Sequence, residues 1–343
     1  MIILALAAGF GVLALILRLP RRVLWAVFGC LLAGAVLVHL ILPEGHALRV
    51  AVGGDWRAWA LPGVIAALAL AYRAVLQKLR ARVKASDAVA TGTFAGAELD
   101  RYARHIVLRE VGGSGQKRLK AARVLVVGAG GLGSPVLLYL AASGVGHIGV
   151  IDDDHVSNSN LQRQVIHTDN SIGTAKVLSA ARAMKELNPF ISVQTYQERL
   201  SATRAAGLVP QYDLVLDGSD NFDTRYLVNA ACAAAGKPLI SAAITQWEGQ
   251  IGLYDPAKGG PCYACVFPER PADGLAPACA EAGVIAPLPG VMGAMMALEA
   301  VKYLTGAGAV LRGEMLLYDG LWGETRKIRV DRRVGCPVCG GPH

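Results

Sequence analysis

Gly128-x-Gly130-x-x-Gly133, Asp152, Asn160, Arg163, Lys176 and Asp220, followed by two Cys-x-x-Cys pairs, are the reactive and ligand-holding groups that stand out along this chain. Three glycines at that spacing let backbone approach a phosphate at a helix N-terminus. Asp152, at the end of the next apolar run, suits a ribose hydroxyl. These four alone read only as a nucleotide site, for a dinucleotide or for ATP. The plainer alternative, a glycine turn kept for packing, is weakened by an acid at the right distance. Lys176 falls in the first turn of a predicted helix, where the dipole disfavours a cation. Either an anion lies nearby or a surface lysine is tolerated there. Asp220, in DGSDN at a strand edge, either caps the next helix or holds Mg2+ at phosphates. A hydride-transfer enzyme needs few cations. A nucleoside triphosphate carries about four negative charges, and a leaving pyrophosphate needs them neutralised by Arg, Lys and Mg2+. No G-x-x-x-x-G-K-[ST] occurs in the chain, so dispersed cations have to serve.

Cys262-x-x-Cys265 and Cys336-x-x-Cys339 supply four thiolates, the set for a closed tetrahedral Zn2+ site that ties the C-terminal tail to the body. Seven cysteines are an odd count, and no convincing signal segment precedes them. Metal ligation in a reducing compartment is therefore expected over disulfides. Cys30 and Cys232 sit in apolar surroundings and read as packing residues. Cys279 lies within Pro268 to Pro289, a long segment rich in Pro, Ala and Gly. Segments of that length inside a domain are functional or disordered. No adjacent His or cation lowers the Cys279 pKa in sequence, so a nucleophilic role for it stays open.

The elements that must position these groups follow from periodicity. Val124 to Val127 and Ile148 to Ile151 are β-branched apolar runs flanking a helical segment, Val136 to Ala142, which gives strand, glycine turn, helix, strand, acid. Further strands are predicted at 191–196, 214–217, 239–243, 249–254, 314–318 and 325–330. Helices are predicted over 98–111, from Lys176, from about Phe222, and over 291–304. The fold class is α/β, a Rossmann-like doubly wound sheet. Polar residues leaving strand ends, Asn160 and Arg163 among them, fall where such sheets bind ligands.

The first 84 residues differ in character. The chain is 53% hydrophobic with a formal charge of +8 and a mean hydropathy of +0.40. Residues 1–84 hold ten Lys/Arg and two acids, whereas 85–343 hold 24 of each. The catalytic part is therefore neutral and gives no sign of a nucleic-acid-binding face. Apolar stretches at 2–17, 23–42 and about 59–76 have basic residues after the first and third, which predicts three transmembrane helices with everything after Lys84 cytoplasmic. A signal segment fits the first stretch poorly, since no positive residue precedes it. Buried helices of a soluble bundle are the alternative. The expected organisation is a membrane anchor over 1–84, a linker over 85–97 and a catalytic domain over 98–343.

RYARH at 101–105, GAGGLG at 128–133, DDDHVSNSNLQRQ at 152–164, GTAK at 173–176, DGSDN at 217–221 and the two cysteine pairs, in this order and spacing, resemble the MoeB/ThiF/HesA family, and MoeB members most. That family is related to the ubiquitin-activating enzymes. The likeness runs from about Glu98 to the C-terminus. The apolar N-terminal stretches depart from it, and no sulfur-transfer domain follows the cysteine tail. The resemblance implies ATP-dependent adenylation of the C-terminal glycine of a ubiquitin-like sulfur carrier of the MoaD or ThiS kind, in molybdopterin or thiamine biosynthesis, by a homodimer. It implies that Gly128, Gly130, Gly131, Gly133 and Asp152 hold the nucleoside. Asn160, Arg163 and Lys176 would bind its phosphates, Asp220 would carry Mg2+, Gln162 would shape the pocket, and Ser159, Leu161 and Asn221 would belong to the same cofactor site. Arg104 would reach the partner subunit's site, and Cys279 would bond the carrier covalently or be dispensable. The carrier's Gly-Gly tail would pass under 268–289. An NAD-dependent oxidoreductase shares only the opening motif. A non-catalytic adaptor would have no reason to keep the acid and the cations.

Overall fold

The structure is a computed structural model that describes residues 21–76 (except 54, 58, 62, 63, 66, 67 and 70), 93–270 and 283–340. Its contacts divide the chain into two compact units, Met1–Ala95 and Gly96–His343. In the first unit, helices α1 (Arg21–Ile41) and α2 (Ala47–Val52) are formed. His46 caps α2, its ring nitrogen accepting the Leu48 N–H. The first expected span lies outside the described residues, the second coincides with α1, and the third is described only in part. Among the described residues no helix is long and apolar enough to cross a membrane, so the expected three-span anchor is not supported.

The second unit is built on one eight-stranded sheet in the order β3-β2-β1-β4-β5-β6-β7-β8. Its strands are β1 (Arg123–Val127), β2 (His147–Ile151), β3 (Ser192–Tyr196), β4 (Leu214–Asp217), β5 (Leu239–Thr245), β6 (Glu248–Tyr254), β7 (Glu314–Asp319) and β8 (Glu324–Arg329). Each lies within two residues of its predicted position. The first five pair in parallel and the rest antiparallel, so the doubly wound half continues into an antiparallel extension that strand periodicity alone does not distinguish.

Strand alternation explains how the parallel half is buried. Val124, Val126, Ile148, Val150, Leu214 and Leu216 face one side, into a core shared with helices α5 (Gly133–Ser143), α6 (Lys176–Leu187) and α10 (Pro287–Thr305). Leu125, Val127, Ile151 and Val215 face the other, against α7 (Ala202–Leu208) and α8 (Phe222–Ala235). Strands covered on both faces read as continuous apolar runs, and these do. Helix α10 lies close to α5 because residue 293 is glycine; a methyl there would overlap Pro135 and the Leu132 carbonyl.

The first predicted helix of this unit departs from expectation. The helix predicted over 98–111 ends early, as α3 (Gly96–Ile106), and a second helix, α4 (Gly112–Ala121), follows. Gly112, with φ +58°, makes the break. The GGSG start of α4 has low helix propensity, and the helix is held by tertiary packing of Leu119 in the core.

The sheet order reverses beside β1, whose neighbours are β2 and β4. In register, Val127 lies opposite both Ile151 and Asp217. The three carboxyl ends are therefore level, and the residues that follow each strand, Gly128, Asp152 and Gly218, emerge at one edge. Such a switch point is where open α/β sheets bind ligands.

Candidate active site

The glycine turn is built around close approaches. Gly128 has φ +92°, a left-handed conformation that only glycine adopts without strain. A methyl on Gly133 would overlap the Gly128 carbonyl, so α5 packs on β1 only while this position lacks a Cβ. Gly133→Ala should distort the turn and weaken nucleotide binding by more than about tenfold, roughly 1.4 kcal/mol, in a fluorescent-nucleotide titration; unchanged affinity would remove the turn from the site.

Asp152 accepts the Ala129 N–H at 2.8 Å through one carboxylate oxygen and the Asp154 N–H at 2.8 Å through the other. Each oxygen keeps a lone pair for a hydroxyl donor. Burial pushes this carboxyl above the usual range, opposed by the Ala129 N–H and the Lys176 charge.

The turn is pinned from behind by His167, which the sequence motifs do not single out. Its Nε2 lies 3.0 Å from the Ala129 carbonyl and its Nδ1 lies 2.9 Å from Ser179 Oγ. A carbonyl only accepts, so Nε2 carries the proton and Nδ1 accepts from Ser179. Burial lowers the His167 pKa below its ordinary value. The folded state thus resists protonation while the unfolded chain protonates at about 6.5. His167's contribution to stability is full above that pH and declines as pH falls below it. His167→Gln should flatten the fall of thermal midpoint between pH 7 and 5, as read by differential scanning fluorimetry.

Lys176 opens α6 and is 5% exposed. The anion facing it is the protein's own: Lys176 Nζ donates to Asp154 Oδ2 at 2.8 Å. Asp154 is largely exposed, and both residues line the cavity at this sheet edge. Arg163 Nη1 donates to the Ser159 carbonyl at 3.0 Å, and its stem lies beside Gly131. Asp220 is exposed, and among the described residues its carboxylate has no hydrogen bond or ion pair. The capping role open to it falls to the next residue, since Asn221 Oδ1 accepts the Thr224 N–H at 2.8 Å. Asp220 is therefore not engaged by its own helix.

One cavity of about 1000 Å³ gathers these groups: Gly128, Gly130, Gly131, Asp152, Arg163, Lys176, Asp220 and Asn221 all line it. Several expected residues stand elsewhere. Gly133 is buried under the turn. Ser159, Asn160, Leu161 and Gln162 are not in the cavity wall; they shape the turn carrying Arg163, with Asn160 Oδ1 accepting the Ser157 N–H at 3.1 Å. Short polar side chains bond their own backbone readily, which sequence spacing does not reveal. Arg104 is exposed on α3, outside this cavity. Cys279 lies outside the described residues.

Beneath Asp220 is a network that motif spacing does not disclose either. Asp217 is fully buried. Its Oδ1 accepts both the Ser219 N–H and hydroxyl, at 2.9 and 2.6 Å, and its Oδ2 accepts the Ser241 hydroxyl at 3.0 Å. Arg225, buried on α8, lies 3.7 Å from Asp217 Oδ2. It donates to Ser241 Oγ, the Ala242 carbonyl and the Ser219 carbonyl at 3.0, 2.8 and 2.5 Å. The only hint in the chain is a second acid and an arginine bracketing Asp220.

Beside Tyr226 on α8 the four cysteines converge. Cys262 Sγ is 3.8 Å from Cys265 Sγ and 3.7 Å from Cys336 Sγ, and Cys265 Sγ is 3.4 Å from Cys339 Sγ. All four sulfurs lie within 4.8 Å of one another. A disulfide needs about 2.05 Å. A tetrahedron with Zn–S near 2.3 Å has edges of about 3.8 Å. The donor set and spacing fit zinc, and Cys262, Cys265, Cys336 and Cys339 would hold it. The metal would join α9 (Tyr263–Val266) to the tail.

Comparison with known proteins agrees with this geometry. The ThiF family matches residues 102–338. The chain is 51% identical over 247 residues to a sulfur carrier protein adenylyltransferase of Thermus thermophilus, covering 71% of this chain and 91% of the relative. It is 48% identical to the SAMP-activating enzyme E1 of Haloferax volcanii, covering 71% and 89%. Among solved structures it is similar to Escherichia coli MccB crystallised with ATP, at TM-score 0.62 and 27% identity, over 70% of this chain and 75% of that one. The chain belongs to the ThiF family.

Proposed function

We propose that this ThiF-family chain adenylates the C-terminal glycine carboxylate of a small ubiquitin-like sulfur-carrier protein with ATP. The observation that carries the reading is the shared cavity: the glycine turn, Asp152, Arg163, Lys176 and Asp220 line one space at the switch point. The Thermus thermophilus and Haloferax volcanii relatives are named for activities of this kind, and MccB was crystallised with ATP.

The chemistry asks for little from side chains. A terminal carboxylate is ionised at neutral pH, so no general base is needed. Its oxygen forms a bond to the α-phosphorus as the bond from that phosphorus to the α–β bridging oxygen breaks. Pyrophosphate leaves with the electron pair. Catalysis then consists of placing the carboxylate in line and stabilising charge on the leaving group. The glycine-turn backbone would approach the phosphates and Asp152 would take the ribose hydroxyls. Arg163 and Lys176 would neutralise phosphate charge. Asp220 would hold Mg2+, which supplies further neutralisation when bound. Asn160 and its neighbours would act indirectly, by presenting Arg163. Arg104, which does not line its own chain's cavity, would serve that of a second copy in a homodimer, and Cys279 would either bond the carrier covalently or be dispensable. The MoeB-like assignment, with molybdopterin or thiamine synthesis as the pathway, and a cytoplasmic catalytic unit belong to the same proposal. The cytoplasm supplies ATP and keeps the cluster thiols reduced.

The test is ATP–pyrophosphate exchange with purified full-length chain and a carrier ending in Gly-Gly. Carrier-dependent exchange is expected, and none with a carrier lacking the terminal glycines. Absence of exchange would favour an adaptor, and NAD binding in its place an oxidoreductase.

A further inference from the structure

Asn229 lies on α8, one turn beyond Arg225, and is 2% exposed. Its Oδ1 accepts the Tyr263 N–H at 2.8 Å, fixing the first residue of α9 immediately after Cys262. Its Nδ2 is fully buried and, among the described residues, has no hydrogen-bond partner. A buried amide donor without an acceptor is costly and rarely kept without a use. The bond to Tyr263 places the Asn229 amide against the residue bonded to Cys262, beside four sulfurs that lie within 4.8 Å of one another. A neutral thiol is a poor hydrogen-bond acceptor. A metal-bound thiolate is a much better one, because it carries charge.

We infer that Asn229 is a positioning residue for the metal centre: its oxygen anchors the turn bearing Cys262 while its Nδ2 donates to the Cys262 sulfur when that sulfur is a metal-bound thiolate. This rests on zinc filling the four-cysteine cluster. It requires nothing of the nucleotide site. Outer partners of this kind fix ligand orientation, and their loss typically weakens metal binding by about 10–100-fold. The same helix carries Arg225 against the Asp217–Ser219 turn, so one face of α8 fastens both the nucleotide edge and the cysteine cluster.

The experiment uses the full chain as isolated. Metal analysis comes first and should find about one zinc per chain, as a closed four-thiolate site requires; none would overturn both the zinc assignment and this inference. The protein is then loaded with 113Cd and labelled with 15N-asparagine. A scalar correlation between 113Cd and the Asn229 side-chain amide proton is expected, transmitted through Cys262. Its absence in folded, cadmium-loaded protein would overturn the donor role. That measurement needs no variant. In parallel, Asn229→Asp keeps an oxygen for the Tyr263 N–H and removes the donor, and Asn229→Leu removes both. Both should release zinc to a colorimetric chelator about 10–100-fold more readily than wild type. Release within twofold of wild type from Asn229→Asp would also overturn the inference, leaving Asn229 only its bond to Tyr263.

Discussion

Asp220→Ala should lower ATP–pyrophosphate exchange by about 10²–10³-fold while leaving thermal stability and zinc content unchanged. The two halves of this expectation come from one observation. Among the described residues the Asp220 carboxylate has no bonded partner, and helix α8 is capped by Asn221. Removing Asp220 therefore breaks nothing in the fold, and an exposed substitution free of such features stays within about 0.5 kcal/mol. Its position in the cavity wall with Lys176 and Arg163 is what the proposed ligand role rests on. If it holds Mg2+ at the phosphates, the variant should lose response to added Mg2+ over the range where wild type is activated. Retained exchange would remove Asp220 from its role, and exchange lost together with a lower melting temperature would make it structural. Zinc content by metal analysis closes the control, since Cys262 and its partners are untouched.

Arg225→Leu should give the opposite signature: a large loss of stability. Asp217 is fully buried, and Arg225 is the cation beside it. Removing one partner of a buried pair leaves an uncompensated charge, which costs about 3–5 kcal/mol. For a domain of this size that corresponds to a fall in melting temperature of roughly 6–20 °C, measurable by calorimetry or fluorimetry. Arg225→Leu also frees the Ser219 and Ala242 carbonyls, so the turn presenting Asp220 should loosen. The double variant Asp217→Asn with Arg225→Leu removes the stranded charge and should recover part of the loss, because residues in one network are not additive. Equal losses in single and double variants would show that the bonds to carbonyls, and not the charge pairing, dominate. With Asp220→Ala this separates the residue that meets the ligand from those that hold it in place.

Much of this protein is legible in its amino-acid order. The β1–glycine turn–α5–β2 unit can be read there because each signal is local: apolar β-branched runs, glycines where no Cβ fits, and an acid at a strand end. The cysteine cluster can be read as well, because the pairing of thiols is set by residue type and spacing. The residues that are harder to find, His167, Asp217, Arg225 and Asn229, act by bonds between positions distant in the chain or several turns apart. His167 meets Ala129 across 38 residues, and Asn229 meets Tyr263 across 34. Polar residues of these types are usually exposed, so nothing in composition distinguishes them. The membrane expectation gains no support, since among the described residues no helix is long and apolar enough to cross a membrane.

Backbone preference and apolar periodicity are properties of short stretches, so the order of residues fixes which groups this chain has for chemistry and how strands and helices present them in turn. Which of those groups share a space is a different matter, settled by packing across the whole sheet. The level carboxyl ends of β1, β2 and β4 bring the glycine turn, Asp152 and the Asp217–Asp220 turn to one edge, and the buried Arg225 and His167 hold that edge in shape. Convergence of this kind depends on strand register and on burial, which are fixed only when the sheet has closed its two cores.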